Sequence, residues 1–147
     1  MPGFSRREIL LGGAGALAAF AAGGLGARQA LAAEHSLTLS RLNHSVLPET
    51  VTADMMSFSP SGPPPVLRFR KGQTATIDVK NALDEASVVH WHGLRIANNM
   101  DGVPYLTQYP IEAGNAFRYE FTPPDAGTFW YHPHCNTLEQ IARGMTG

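Results

Sequence analysis

QTATIDVK, residues 73–80, decides the fold class, because its side chains alternate between polar and apolar with a period of two. The apolar members are Ala75, Ile77 and Val79, and the polar ones between them are Thr74, Thr76, Asp78 and Lys80. Successive side chains of a β-strand point to opposite faces, so this pattern predicts a strand that turns one face to a core. Gly72 and Asn81 flank the stretch as turn residues.

Further strand signals lie on both sides of this stretch. We predict strands at His35–Leu42, Val66–Arg70, Val88–Ile96, Ala116–Phe121 and Thr128–His132, and one short helix at Thr137–Arg143. Asn98-Asn99, Gly114 and Pro123-Pro124 mark turns between them. Short strands divided by turn residues favour an all-β fold, a sandwich with Greek-key connections.

Residues 1–33 read as an export signal and not as part of this fold. Arg6 and Arg7 precede an uncharged run rich in glycine, alanine and leucine, and small residues follow at a candidate cleavage site. The paired arginines indicate the twin-arginine route, whose export machinery would be a partner of the chain. The alternative is a retained membrane anchor, since Ile9 to Ala27 is long enough to span. Export by the twin-arginine route predicts a periplasmic or secreted protein.

The remainder, residues 34–147, has the length of one domain. It carries eight basic and eleven acidic residues, a net charge of −3, which argues against a nucleic-acid partner or an anionic membrane surface. Cys135 is the one cysteine, so no internal disulfide can form.

Two His-x-His pairs, His90/His92 and His132/His134, carry the chemistry. Residues i and i+2 share one face of a strand, so the members of each pair point the same way and Trp91 points opposite. If the two strands adjoin, four imidazoles converge, and imidazole is a good ligand for copper, zinc, iron and nickel, with copper bound most tightly. A single such pair is more often ordinary surface or core histidine. His35 and His44 have no such partners, and we interpret them as ordinary surface residues.

These residues, in this order, resemble the N-terminal cupredoxin domain of multicopper oxidases, the laccase and copper-resistance group. The motifs are His90-Trp91-His92-Gly93, then Asp101-Gly102-Val103-Pro104, then Gly127-Thr128-Phe129-Trp130-Tyr131-His132-Pro133-His134. The stretches 65–72 and 79–81 also look like that domain, so the likeness runs from about His35 to Gly147.

The resemblance implies a role for each histidine. His90 would bind the type 2 copper of a trinuclear cluster, and His92, His132 and His134 would bind its type 3 coppers. The family's cluster uses eight histidines, the other four from a C-terminal cupredoxin domain that is absent from this chain. Asp101 would be an acid that passes protons to oxygen at the cluster, the alternative being a plain turn aspartate.

The resemblance therefore predicts part of an oxidase that takes single electrons from an unidentified reducing substrate and reduces oxygen to water. A chain with four of eight ligands would be inactive alone. We also expect it to lack the closing strand of its sandwich, because Gly144-Met145-Thr146-Gly147 looks like the approach to one. The alternatives are a stand-alone periplasmic copper-binding or copper-carrying module, and a two-domain oxidase or nitrite-reductase-like protein.

Cys135 follows His134 directly, and Met145 lies ten residues on. A type 1 copper site uses a thiolate, two imidazoles and a weak axial methionine. In the family motif, histidines stand where this chain has Asn136 and Gln140. We therefore interpret Cys135 as a small buried residue or a free thiol rather than a copper ligand.

Overall fold

The computed structural model describes residues 33–147, so the export signal predicted at residues 1–33 lies outside the described residues except for Ala33. The strands are β1 (Ala33–Leu47), β2 (Thr50–Ser57), β3 (Ala75–Asn81), β4 (His90–His92), β5 (Ala116–Phe121) and β6 (Trp130–His132). A 3-10 turn spans Asn98–Met100, and one α-helix, α1, spans Thr137–Ala142. Within residues 33–147, no helix has both the length and the apolar character needed to cross a membrane.

The strands form two open sheets that enclose one core. The larger sheet has the order β2-β1-β3-β5, with β1 and β3 parallel and the other pairs antiparallel. The smaller sheet is the antiparallel pair β4-β6. Trp91 of β4 packs against Tyr119 and Phe121 of β5, with ring centroids 5.3 and 5.1 Å apart. The prediction of an all-β sandwich is confirmed.

The alternating stretch that predicted β3 behaves as its pattern requires. Ala75, Ile77 and Val79 are buried, at most 1% exposed, while Asp78 faces solvent and pairs with Arg118 of β5. Leu37 and Leu39 of β1 and Tyr119 and Phe121 of β5 lie in the same core. The small sheet of β4 and β6 packs against this large sheet through Trp91 and Tyr131.

Several element boundaries differ from the sequence prediction. The first strand runs to Leu47 rather than Leu42, and β2 was not predicted at all. Residues 50–54 are all exposed, so β2 begins without the alternation that marks a half-buried strand. The strand predicted at Val88–Ile96 is confined to β4, and that predicted at Thr128–His132 to β6, where Pro133 has no N–H to continue the ladder. The helix prediction is confirmed in α1.

The strand predicted at Val66–Arg70 is wrong. Its side chains do alternate, with Val66, Arg68 and Arg70 exposed and Leu67 and Phe69 half-buried. However, it has no ladder partner within residues 33–147. Its inner side chains instead line a cavity of about 550 Å³ together with Trp91 and Tyr131. A local period of two sets the faces of an extended chain, but a strand also needs a neighbour for its hydrogen bonds.

Candidate metal centre

The pairing of β4 with β6 brings the two histidine motifs together. His90 lies opposite His132, Trp91 opposite Tyr131 and His92 opposite Trp130. Because opposite residues of an antiparallel pair share a face, the histidines project from one side of the small sheet. Trp91 and Tyr131 project from the other side into the core, where they are 2% and 5% exposed.

All four imidazoles gather on that face. The His132 ring has its centroid 5.2 Å from that of His90, 5.4 Å from that of His92 and 5.1 Å from that of His134. His134 follows the end of β6, and its ring lies 4.7 Å from that of His90. The four rings therefore lie close together on one face of the small sheet, as the i, i+2 spacing of both motifs predicted.

The potential ligand atoms are closer still. One nitrogen each from His90, His132 and His134 can be chosen so that all three lie within 4.8 Å of one another. His92 stands next to this group, with its Nδ1 3.2 Å from Nε2 of His132. The donor set consists of imidazole nitrogens alone, which suits copper. His132 therefore belongs to the three-histidine group and is also the member that contacts His92.

Backbone carbonyls orient two of the rings. Nδ1 of His90 lies 2.6 Å from the carbonyl oxygen of Asp101, and Nδ1 of His132 lies 3.0 Å from that of Pro133. A carbonyl can only accept, so each Nδ1 carries the hydrogen and donates it. The lone pair of each ring then lies on Nε2, which is how ligating histidines are commonly held, although that of His132 accepts a hydrogen bond from Nδ1 of His92 in this structure.

The backbone carbonyl of Asp101 lies closer to the site than its side-chain carboxylate does. Its carboxylate Oδ1 is 3.6 Å from Nδ1 of His90, farther than its own carbonyl oxygen, and the side chain is 32% exposed. The 3-10 turn at Asn98–Met100 positions Asp101, because the Asp101 N–H donates a hydrogen bond to the carbonyl of Asn98. The structure thus places Asp101 beside His90 with its carboxylate still accessible to water.

The surroundings keep two histidines neutral. Burial lowers the pKa of His132, and the neighbouring imidazoles lower it further, against an opposing effect of the Pro133 carbonyl. Burial also lowers the pKa of His134, and the electrostatic effect of the neighbouring His90 lowers it further. Neutral imidazole is the form that binds metal, so the lowered pKa values of His132 and His134 favour their metal-binding form.

Among the described residues, Cys135 is not part of the group of potential ligand atoms close enough to hold a metal ion, which consists of His90, His132 and His134. Burial raises the pKa of its thiol, as do Glu112 and Glu85, which disfavours the thiolate that copper needs. Met145 is fully buried in the core. Asn136 bonds to Glu85 and Glu139, and Gln140 accepts a hydrogen bond from Ser87 at 2.8 Å.

The other two histidines stand apart from the group of candidate ligands. His44 is partly exposed on β1. The interpretation of His35 as an ordinary surface residue needs correction, because its ring packs edge-on against Phe69 at 5.1 Å. Its Nε2 is shielded from water and has no hydrogen-bond partner among the described residues. The apolar partner comes from a distant stretch, which the sequence could not indicate.

Sequence reasoning missed Trp130 as part of the site. Its indole stacks on the His132 ring with centroids 4.0 Å apart and planes 27° apart. The signal was present, because residues 130, 132 and 134 continue one period of two. Gly102 was quoted within a motif but given no role, although it is buried where the Asp101 turn meets β4.

The chain resembles known proteins in both sequence and structure. A family model described as multicopper oxidase matches residues 41–147. The chain is 46% identical over 79 residues to copper resistance protein A of Pseudomonas syringae pv. tomato, covering 54% of this chain and 13% of that protein. It is 38% identical over 119 residues to laccase-5 of Trametes versicolor, covering 76% of this chain and 22% of that protein.

Solved structures agree with these sequence relatives. A multi-copper oxidase from Pseudomonas thermotolerans superimposes with a TM-score of 0.75 at 37% identity, covering 80% of this chain and 28% of that one. Lac15 from a marine microbial metagenome gives a TM-score of 0.70 at 49% identity, covering 76% of this chain and 30% of that one. The chain therefore spans less than a third of the length of each of these four relatives.

Proposed function

This chain belongs to the multicopper oxidase family, whose cofactor is copper, and from that premise we propose that its four clustered histidines form half of a trinuclear copper site that reduces dioxygen to water. The observation that carries the proposal is the convergence of ligand nitrogens from His90, His132 and His134 within 4.8 Å, with His92 beside them. By resemblance, His90 serves the type 2 copper and the other three serve the type 3 pair.

Copper would supply the one-electron chemistry and the binding of dioxygen, and the protein would fix the ligands in place. The carbonyls of Asp101 and Pro133 hold His90 and His132 in the tautomer whose lone pair is on Nε2, and a metal would replace the hydrogen bond that His92 makes to Nε2 of His132. The low pKa of His132 and His134 means that few protons must be displaced on metal binding at neutral pH. The remaining ligands and the electron-accepting type 1 site belong, in this proposal, to a further cupredoxin domain.

The setting of the reaction is also a proposal. Residues 1–33 would act as a twin-arginine signal, so that the folded, copper-loaded protein works in the periplasm or outside the cell. Copper resistance protein A and laccase-5, both far longer than this chain, carry names that fit copper handling and the oxidation of a reducing substrate.

Copper titration of the chain tests the proposal. We expect Cu(II) to bind through imidazoles with no intense blue thiolate band, because Cys135 is held as a thiol away from a type 1 ligand set. We expect no oxygen consumption with a reductant, since four histidines cannot complete the cluster.

His90→Ala should weaken copper binding and His44→Ala should not. Equal binding by both variants would contradict the assignment of the site, and a strong blue band would contradict the interpretation of Cys135.

A copper-carrying module remains the second candidate, because the three-histidine group could hold one ion by itself. Its distinguishing result would be tight binding of a single copper by the chain alone, together with transfer of that copper to an acceptor protein. Weak binding by the chain, strengthened when the remaining cluster ligands are supplied by the complete protein, favours the oxidase.

Asp101→Asn in the complete oxidase should slow oxygen reduction and leave the copper content unchanged. The variant keeps the backbone carbonyl that orients His90, so ligation is preserved, while the carboxylate that could deliver protons is gone. General acid–base groups typically contribute about 10²- to 10⁴-fold, and a loss at the lower end is expected. Oxygen consumption and copper per protein are the two measurements.

Asp78→Asn is the matched control, because Asp78 is an exposed carboxylate on β3 that pairs with Arg118. It should change neither quantity. Loss of copper in Asp101→Asn, or an unchanged rate, would show that Asp101 acts as a structural turn residue instead.

A further inference from the structure

We propose that Trp130 is a positioning residue for the copper site, and that its indole holds the imidazoles of His92 and His132 at the orientations copper requires. The inference rests on the proposed function and deepens it. It concerns a side chain that is not itself a ligand, since indole offers only an N–H donor and no lone pair.

Trp130 contacts one histidine from each motif. Its ring centroid lies 4.0 Å from that of His132, with the planes 27° apart, and 4.9 Å from that of His92, with the planes 36° apart. Trp130 and His92 are register partners across the β4–β6 pair, and His132 is two residues along the same strand. The indole therefore covers the two rings on the histidine face of the small sheet.

The core does not require this side chain. Trp130 is 42% exposed and is absent from the buried cluster that contains Trp91 and Tyr131. Removing it should leave no large cavity, because its indole lies on the face opposite the core. Trp130 is therefore partly open to water and contacts two candidate ligands, stacked on His132 and tilted against His92.

His92 depends most on this contact. His90 and His132 each have a backbone carbonyl at Nδ1, but Nδ1 of His92 faces Nε2 of His132 at 3.2 Å. That bond must break when Nε2 of His132 is given to a metal, because one lone pair cannot serve both. The tilted contact with the Trp130 indole, whose centroid lies 4.9 Å from that of His92, then remains to restrict the His92 imidazole.

Cu(II) titration of the full chain, with the electron paramagnetic resonance spectrum of the bound copper, tests the proposal. Trp130→Ala should weaken copper binding by about 10- to 100-fold, as is typical when a group that orients a metal ligand is removed. The spectrum should broaden or change as His92 samples several orientations. Trp130→Phe keeps a ring over the imidazoles and should restore most of the affinity and the original spectrum.

Tyr109→Ala is the control, because Tyr109 is an exposed aromatic, 82% exposed, whose described ring partner is Tyr105 rather than a histidine. It should leave binding unchanged, and the thermal unfolding midpoint of the metal-free Trp130 variants should stay near that of the wild type. Wild-type affinity and spectrum in Trp130→Ala would overturn the positioning role. His90→Ala separates the two ideas, because unchanged copper binding in that variant would overturn the metal site itself.

Discussion

His132→Ala is expected to abolish dioxygen reduction by the complete oxidase while electron uptake at its type 1 copper persists. His132 lies between the other candidate ligands, with its ring 5.1–5.4 Å from each of them, and it is only 5% exposed. The opposite face of β6 packs into the core through Tyr131, so His132 supplies the imidazole at the centre of the group. The loss should therefore disrupt a cluster rather than merely weaken one bond.

Three measurements check this prediction: oxygen consumption, copper per protein, and reduction of the type 1 band by substrate. His44→Ala is the matched control, since His44 is a histidine on β1 outside the clustered set, and it should behave as wild type. A His132→Ala protein that still reduced oxygen at a rate near wild type would refute the assignment of His132 as a ligand.

The sequence predicted the central parts of the fold because those parts depend on local patterns. β3 and β5 each bury one face, so alternation of apolar and polar residues marked them. β2 begins with exposed residues on both faces and is held by pairing with β1, which no local pattern reveals. The stretch 66–70 has the alternation without the partner, so the same rule that found β3 failed there.

The site shows a similar division. The i, i+2 spacing was enough to predict that each histidine pair shares a face, and the pairing of β4 with β6 then brought the pairs together. The sequence could not show that the Asp101 backbone, rather than its side chain, makes the closer contact to His90. This contact depends on how closely the turn that carries Asp101 approaches β4. One residue of the Asp101-Gly102-Val103-Pro104 motif sets that approach.

That residue is Gly102, and Gly102→Ala is expected to destabilise the domain and impair the metal site together. Gly102 has φ +74°, and an added Cβ would lie 1.9 Å from the carbonyl oxygen of Val89 and 2.9 Å from the backbone nitrogen of His90. Both are backbone atoms next to or within β4, so no side-chain rotation can relieve the clash. The 98–103 turn must move away, and Asp101 then withdraws its carbonyl from His90.

Gly114→Ala separates backbone strain from this clash. Gly114 has a similar φ of +81°, but an added Cβ there would meet nothing within 4 Å. Gly114→Ala should cost about 1 kcal/mol of unfolding free energy, the left-handed penalty alone. Gly102→Ala should cost about 3 kcal/mol or more, because broken backbone packing and a lost hydrogen bond to His90 are added to it. Denaturant unfolding gives these values, and Cu(II) titration should show weakened binding only in Gly102→Ala. Equal losses of stability in the two variants, with equal copper binding, would mean that the turn does not press on β4 and that Asp101 does not depend on Gly102 to reach His90.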